Sequence, residues 1–244
     1  MNLNKIPQID LDLAKFVDLH ILHGYISHSK ITHVCNTVKK HGFRAVCLPA
    51  RYLNIFQELY PALQFITVAN FPFNYHPSDV VIREVEAITA LIEDISQVEI
   101  EFPLPTDFRA YWKEFKALGT WVPLRGIIPF SRYTQLLPML GMGDNPFKYV
   151  QLGTGFDLKG QPPYEAIKTK VKTLQSIGYK VKVCGNYEHY QKRELAEMGV
   201  ILGLTGGLNS VKYKKIELSE EMYKIRERET IEEKTATKRR EETF

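Results

Sequence analysis

Four polar side chains interrupt short apolar runs in this chain. Glu99 sits in Val98-Glu99-Ile100-Glu101 and Arg125 in Leu124-Arg125-Gly126-Ile127-Ile128. Gln151 sits in Tyr149-Val150-Gln151-Leu152 and Lys182 in Val181-Lys182-Val183. A charge on a buried strand either does chemistry or neutralises another charge. A carboxylate pair can move protons, and a lysine whose pKa is lowered by burial can attack a carbonyl and form an imine. Glu99 and Glu101 alternate, so both point to one face of their strand. There they can meet Lys182 and Arg125, either as an acid–base cluster or as a balanced buried network. Arg125 stays charged and is no nucleophile, and the amide of Gln151 is none either. Lys182, Glu99, Gln151 and Arg125 are the candidate catalytic residues.

Glycine-bearing turns supply a second kind of chemistry. Gly153 and Thr154 follow the Gln151 run, Gly185 and Asn186 follow the Lys182 run, and Thr205 and Gly206 come after 200–203. Backbone N–H groups at such turns can hold a phosphate, although glycine also simply terminates strands. The histidines show no metal-ligand spacing, so neither a metal site nor a cofactor is expected. Cys35, Cys47 and Cys184 are odd in number and widely spaced. They read as reduced thiols of a cytoplasmic protein, with Cys47 and Cys184 as small core residues on strands.

The elements that must position these groups alternate along the chain. Strand-like runs fall at 16–19, 45–48, 65–69, 98–102, 124–128, 149–152, 180–183 and 200–203. Helix-like segments fall between them at 27–41, 51–59, 76–93, 106–118, 131–140, 163–177 and 188–198, with a last one from about 207. Ser27 or Ser29 suits the cap, and Gly42 the stop, of the first of these helices. Eight such units, with no Gly-x-Gly-x-x-Gly after the first strand, predict a closed (β/α)8 TIM barrel rather than an open doubly wound sheet. The length of 244 residues suits one such barrel, which takes roughly 250. Gln151, Lys182, Glu99 and Arg125 are expected to project into its C-terminal mouth.

Hydrophobic residues make up 44% and charged residues 25%, the balance of an ordinary globular chain. A net charge of +4 is too mild to point to nucleic acid or membrane, and no signal peptide or spanning run is present. The expected domains are a barrel over 1–216 and a charged tail over 217–244. From 212 onward ten Lys/Arg face nine Asp/Glu, so the tail cannot build a core. It reads as a helix with a frayed end, dangling or lying on another surface through Met222, Tyr223 and Ile225. A homo-oligomer or larger assembly through the tail follows from that.

The runs also resemble deoxyribose-phosphate aldolases, in order from about residue 16 to 210. Asp18-Leu19-His20-Ile21-Leu22 resembles that family's Asp-x-Thr-x-Leu, and the stretch from Gly42 through Tyr52 its Gly-Phe-x-x-Val-Cys-Val segment. Thr67-Val68-Ala69-Asn70-Phe71-Pro72 resembles Thr-Val-x-Gly-Phe-Pro. Val98 to Glu101 resembles the strand carrying the active-site aspartate, and Leu124 to Ile128 resembles Leu-Lys-Val-Ile. Val181 to Asn186 resembles Val-Lys-x-x-Gly-Gly, and Leu202 to Gly207 the phosphate-binding turn.

Tyr149-Val150-Gln151-Leu152-Gly153-Thr154-Gly155 resembles the strand Phe-(Val/Ile)-Lys-Thr-Ser-Thr-Gly, whose lysine forms the Schiff base in that family. The resemblance puts Gln151 in that lysine's place, Glu99 at or near the aspartate, and Arg125 in place of another lysine. Lys182 stands for the family's second lysine, which lowers the pKa of the first. The tail ends on Phe244, which lacks the hydroxyl of the proton-transferring C-terminal tyrosine. The resemblance therefore implies a pseudoenzyme: an aldolase-like barrel without Schiff-base activity, holding a small phosphorylated or sugar-like ligand or serving as a scaffold. The alternative is an active carbon–carbon lyase or isomerase on a sugar phosphate, using Lys182 or the Glu99/Glu101 carboxylates.

Overall fold

A computed structural model describes residues 8–22, 25–71, 76–92, 95–101, 110–142, 145–153, 162–204 and 211–213. Eight parallel strands close into a barrel in chain order: Val17–His20, Ala45–Cys47, Phe65–Ala69, Gln97–Glu101, Leu124–Pro129, Tyr149–Gly153, Lys180–Cys184 and Ile201–Leu204. The last pairs with the first, Asp18 opposite Gly203. The strands are buried almost throughout, because helices cover their outer faces and side chains fill the inside. Among the described residues no helix is long and apolar enough to cross a membrane.

Local chemistry explains where the covering helices begin and end. His28–His41 is capped by Ser27, whose hydroxyl accepts from the Lys30 N–H at 3.3 Å. It stops at Gly42, which takes the left-handed conformation (φ 69°) and returns its N–H to the Val38 carbonyl. His189–Glu197 starts with a reciprocal capping box between Glu188 and Gln191. Leu53–Leu59 and Tyr133–Leu140 each follow one 3-10 turn, which absorbs the start expected two residues earlier.

Two regions depart from expectation. The chain enters the barrel through a two-residue strand, Gln8–Ile9, and a one-turn helix, Leu11–Ala14, capped by Asp10. Gln8–Ile9 pairs antiparallel with Lys212–Tyr213, so a strand stands where a last helix from about 207 was expected. Elements this short carry no periodicity to read. The fourth covering helix is Trp112–Trp121, and the first residues of its expected span, 106–109, lie outside the described residues, as does the tail 217–244.

Inside and outside of the barrel differ in kind. Outside, Val46, Leu48, Phe65, Val98, Ile100, Leu152 and Val183 join one apolar core with the helices. Inside, Ala45, Cys47 and Ile66 make a small apolar patch on the second and third strands, and Asp18, Glu99, Arg125 and Lys182 fill the remainder with charge.

Gly203 lets those interior side chains approach. A Cβ there would collide with Cys184 Sγ and would lie 2.7 Å from Lys182 Cε and 2.9 Å from His20 Cε1. We expect Gly203→Ala to destabilise the barrel by about 1–3 kcal/mol through overpacking. A melting temperature within a degree of the parent's would show that the interior has room to spare.

Candidate functional site

Asp18, Glu99, Arg125 and Lys182 come from the first, fourth, fifth and seventh strands, and all four are at most 1% exposed. Lys182 Nζ donates to Glu99 Oε1 at 2.7 Å and stands 3.0 Å from Asp18 Oδ2. Arg125 Nη1 donates to the same Glu99 oxygen at 2.9 Å. Arg44, at the outer edge of the network, grips both Asp18 oxygens through Nε and Nη2 at 2.6 Å each. Such a fork is the strong geometry for a guanidinium and a carboxylate.

The proton positions follow from these contacts. Burial alone would raise the Asp18 pKa, but the charges of Lys182, Arg44 and Arg125 outweigh it and hold the carboxyl below its usual range. Glu99 is governed the same way, by burial first and then by Lys182 and Arg125, and it too titrates low. Burial disfavours the Lys182 ammonium, but Asp18 and Glu99 more than compensate and push its pKa up. His20 goes the other way: burial and the Lys182 charge bring it down to about 4, so the imidazole is neutral at pH 7.

The candidate residues are thus brought together in part. Lys182, Glu99 and Arg125 meet, and Gln151 stands beside Lys182 in the strand register. Their strands run on toward the C-terminal end, to Glu101, Pro129, Gly153 and Cys184. Glu101, on the same face of its strand as Glu99, lies 4.0 Å from Arg132. Gly185 has a packing reason to be glycine, because a Cβ would sit 2.8 Å from the Tyr187 ring. Asn186 is exposed in the following turn. Gly153 ends the sixth strand, while Thr154, Thr205 and Gly206 lie outside the described residues.

Three residues were missed from the sequence. Asp18 is the network's second carboxylate, and its place inside an apolar run was the available signal. His20 and Cys47 face the interior from paired positions on the first two strands. Donor atoms of His20, Cys47 and Glu99 lie within 4.8 Å of one another. No spacing rule finds such a group, because its members are 27 and 52 residues apart in sequence. His20 Nε2, Glu99 Oε2 and Gln151 Oε1 are buried without a hydrogen-bond partner among the described residues.

Known structures share this architecture. The tetrameric deoxyribose phosphate aldolase from Aeropyrum pernix superposes with a TM-score of 0.69 at 16% identity, over 82% of this chain and 89% of that one. A putative deoxyribose-phosphate aldolase from Coccidioides immitis gives 0.66 at 18% identity, over 81% and 83%. An aldolase called QR15 gives 0.67 at 14% identity, over 87% and 98%. Neither a protein-family model nor a curated protein's sequence matches the chain. At these identities the likeness is one of fold: the chain is an aldolase-like TIM barrel.

Removing Glu99 leaves Lys182 and Arg125 short of a counter-charge inside the barrel. We expect Glu99→Ala to cost about 3–5 kcal/mol in denaturant unfolding, the range for breaking a buried pair. A loss below 1 kcal/mol would mean that water already screens the cluster. Asp18 gives a pH signature. Its folded pKa is depressed, so its stabilisation is complete above its unfolded value of about 3.9 and disappears as pH falls through the folded value. Asp18→Asn should therefore be less stable at pH 7 and should lose less on acidification than the parent. Parallel acid limbs for the two proteins would contradict this.

Proposed function

We propose that this barrel binds a small phosphorylated or sugar-like ligand and does not form an imine with it. The state of Lys182 carries this reading. Imine formation needs a neutral amine that can reach the carbonyl carbon. Lys182 is fully buried and holds two carboxylates, whose charges outweigh burial and push its pKa up, so it stands as an ion-paired ammonium. Gln151, which takes the Schiff-base lysine's place by resemblance, offers an amide that is no nucleophile. Its buried carbonyl oxygen has no partner among the described residues and can accept a hydrogen bond from a ligand hydroxyl.

The aldolase-like fold supports the ligand class, since barrels of this kind bind at the C-terminal face, often with a phosphate near the last two strands. The competing reading is a lyase or isomerase working through Lys182 or through Glu99 and Glu101. Its lysine is tied up as an ion-paired ammonium, and its two glutamates face different cations. The positive charges here neutralise fixed carboxylates instead of activating one another.

Two measurements test the proposal. Borohydride added with deoxyribose 5-phosphate or acetaldehyde should leave the intact mass unchanged, and retro-aldol turnover should be absent. A reduced adduct on Lys182, or turnover that Lys182→Ala abolishes, would establish the lyase instead. Separately, deoxyribose 5-phosphate should raise the melting temperature in a concentration-dependent way. If neither it nor other sugar phosphates shift the melt, the ligand assignment fails and a scaffold is left.

A further inference from the structure

We infer that a cleft on the N-terminal face of the barrel binds a small organic acid with a flat apolar body, through Lys148, Lys180 and the apolar side chains between them. This goes beyond the ligand proposal and does not depend on it, because that ligand enters at the opposite end. The cleft measures about 440 Å³, within the range of small-molecule sites. It opens where the sixth and seventh strands begin: Tyr149 and Lys180 are their first residues and stand side by side in register. The covering helices Tyr133–Leu140 and Tyr164–Ser176 end here, with Met142 and Ile177 just beyond them. Those two side chains are 40% and 44% exposed. With the half-buried Tyr149 ring they give the cleft an apolar lining that water now covers. A thioether and an aromatic ring both favour contact with a flat ring.

The polar groups of the cleft decide the sign of the charge. Asn145 accepts from the Phe147 N–H at 2.9 Å and donates to the Met139 carbonyl at 3.3 Å, and the Tyr179 hydroxyl donates to the Leu140 carbonyl at 2.7 Å. These bonds satisfy carbonyls at the end of helix Tyr133–Leu140 that would otherwise face an anion. Lys148 and Lys180 are both exposed, and neither has a carboxylate partner among the described residues. Lys180 Nζ lies 5.5 Å from the centre of the Tyr149 ring, which keeps that cation beside the apolar lining. No acidic side chain among the described residues lines the cleft. An occupant's negative charge is therefore met by two cations and its body by Met142, Ile177 and Tyr149. An inorganic anion would use only the first set of contacts, and a neutral hydrocarbon only the second.

The test titrates the full chain by calorimetry with 2-naphthoate, its uncharged counterpart 2-naphthamide, and inorganic phosphate. We expect one naphthoate per chain, with a melting temperature that rises with its concentration. Naphthamide should bind more weakly by at least about 5-fold, and Lys148→Ala and Lys180→Ala should each weaken naphthoate by about 5-fold, the size of one charge pair near a surface. Ile177→Asp should abolish binding by placing a carboxylate in the apolar lining. Lys113→Ala should bind like the parent, because Lys113 is exposed on the helix Trp112–Trp121, away from the cleft. All four positions lie at the surface, and melting curves without ligand verify that each variant is folded. Absence of saturable naphthoate binding overturns the assignment, as does binding that both lysine variants retain at parent strength. Equal response to phosphate, or displacement of naphthoate by deoxyribose 5-phosphate, would also overturn it.

Discussion

The interior of this barrel is organised around one oxygen. Glu99 Oε1 accepts from both Lys182 and Arg125, and Lys182 extends the network to Asp18 and from there to Arg44. Ions of this kind are costly to bury, by several kcal/mol each even after relaxation, and their attraction repays that only when geometry and charge balance are both good. Here two interior carboxylates face two interior cations. The balance also depends on register. A slip of one residue on any contributing strand would turn its charge outward into the apolar helix layer. Barrel closure and charge pairing therefore require each other.

This dependence explains how much could be read from the sequence. The eight strands and the helices between them were legible, because each carries its own local signal: an apolar run, a cap such as Ser27, a stop such as Gly42. Lys182, Glu99 and Arg125 were legible as a group because each is a charge in an apolar run. What escaped is set by distance along the chain. Asp18, His20 and Cys47 join the cluster only once the first strand closes against the second and eighth. Gly185 shows how a residue type can serve two ends: its type suggested a phosphate turn, and its surroundings add a packing reason in Tyr187.

The fold is that of aldolases, yet the interior charges act on one another. In a site built for imine chemistry a neighbouring cation serves to keep an amine neutral. That use needs a cation without a tight carboxylate partner. Lys182 has two such partners at 3.0 Å or less, so its field is largely spent on Asp18 and Glu99. Lys182 then has a structural role, tying its own strand from inside to those of Asp18 and Glu99.

The network is nevertheless unevenly satisfied, and the unevenness has a direction. Asp18 has both oxygens occupied, and Lys182 has two anionic partners. Glu99 has one oxygen saturated and the other empty, and His20 and Gln151 each present a buried polar atom with no partner among the described residues. A buried group left in that state costs about 1–3 kcal/mol. Three of them together amount to a sizeable fraction of a domain's net stability. Asp18 and Arg44 stabilise the barrel without any visitor. Glu99, His20 and Gln151, together with Arg125 Nε, instead leave polar atoms in the interior whose partners do not lie among the described residues.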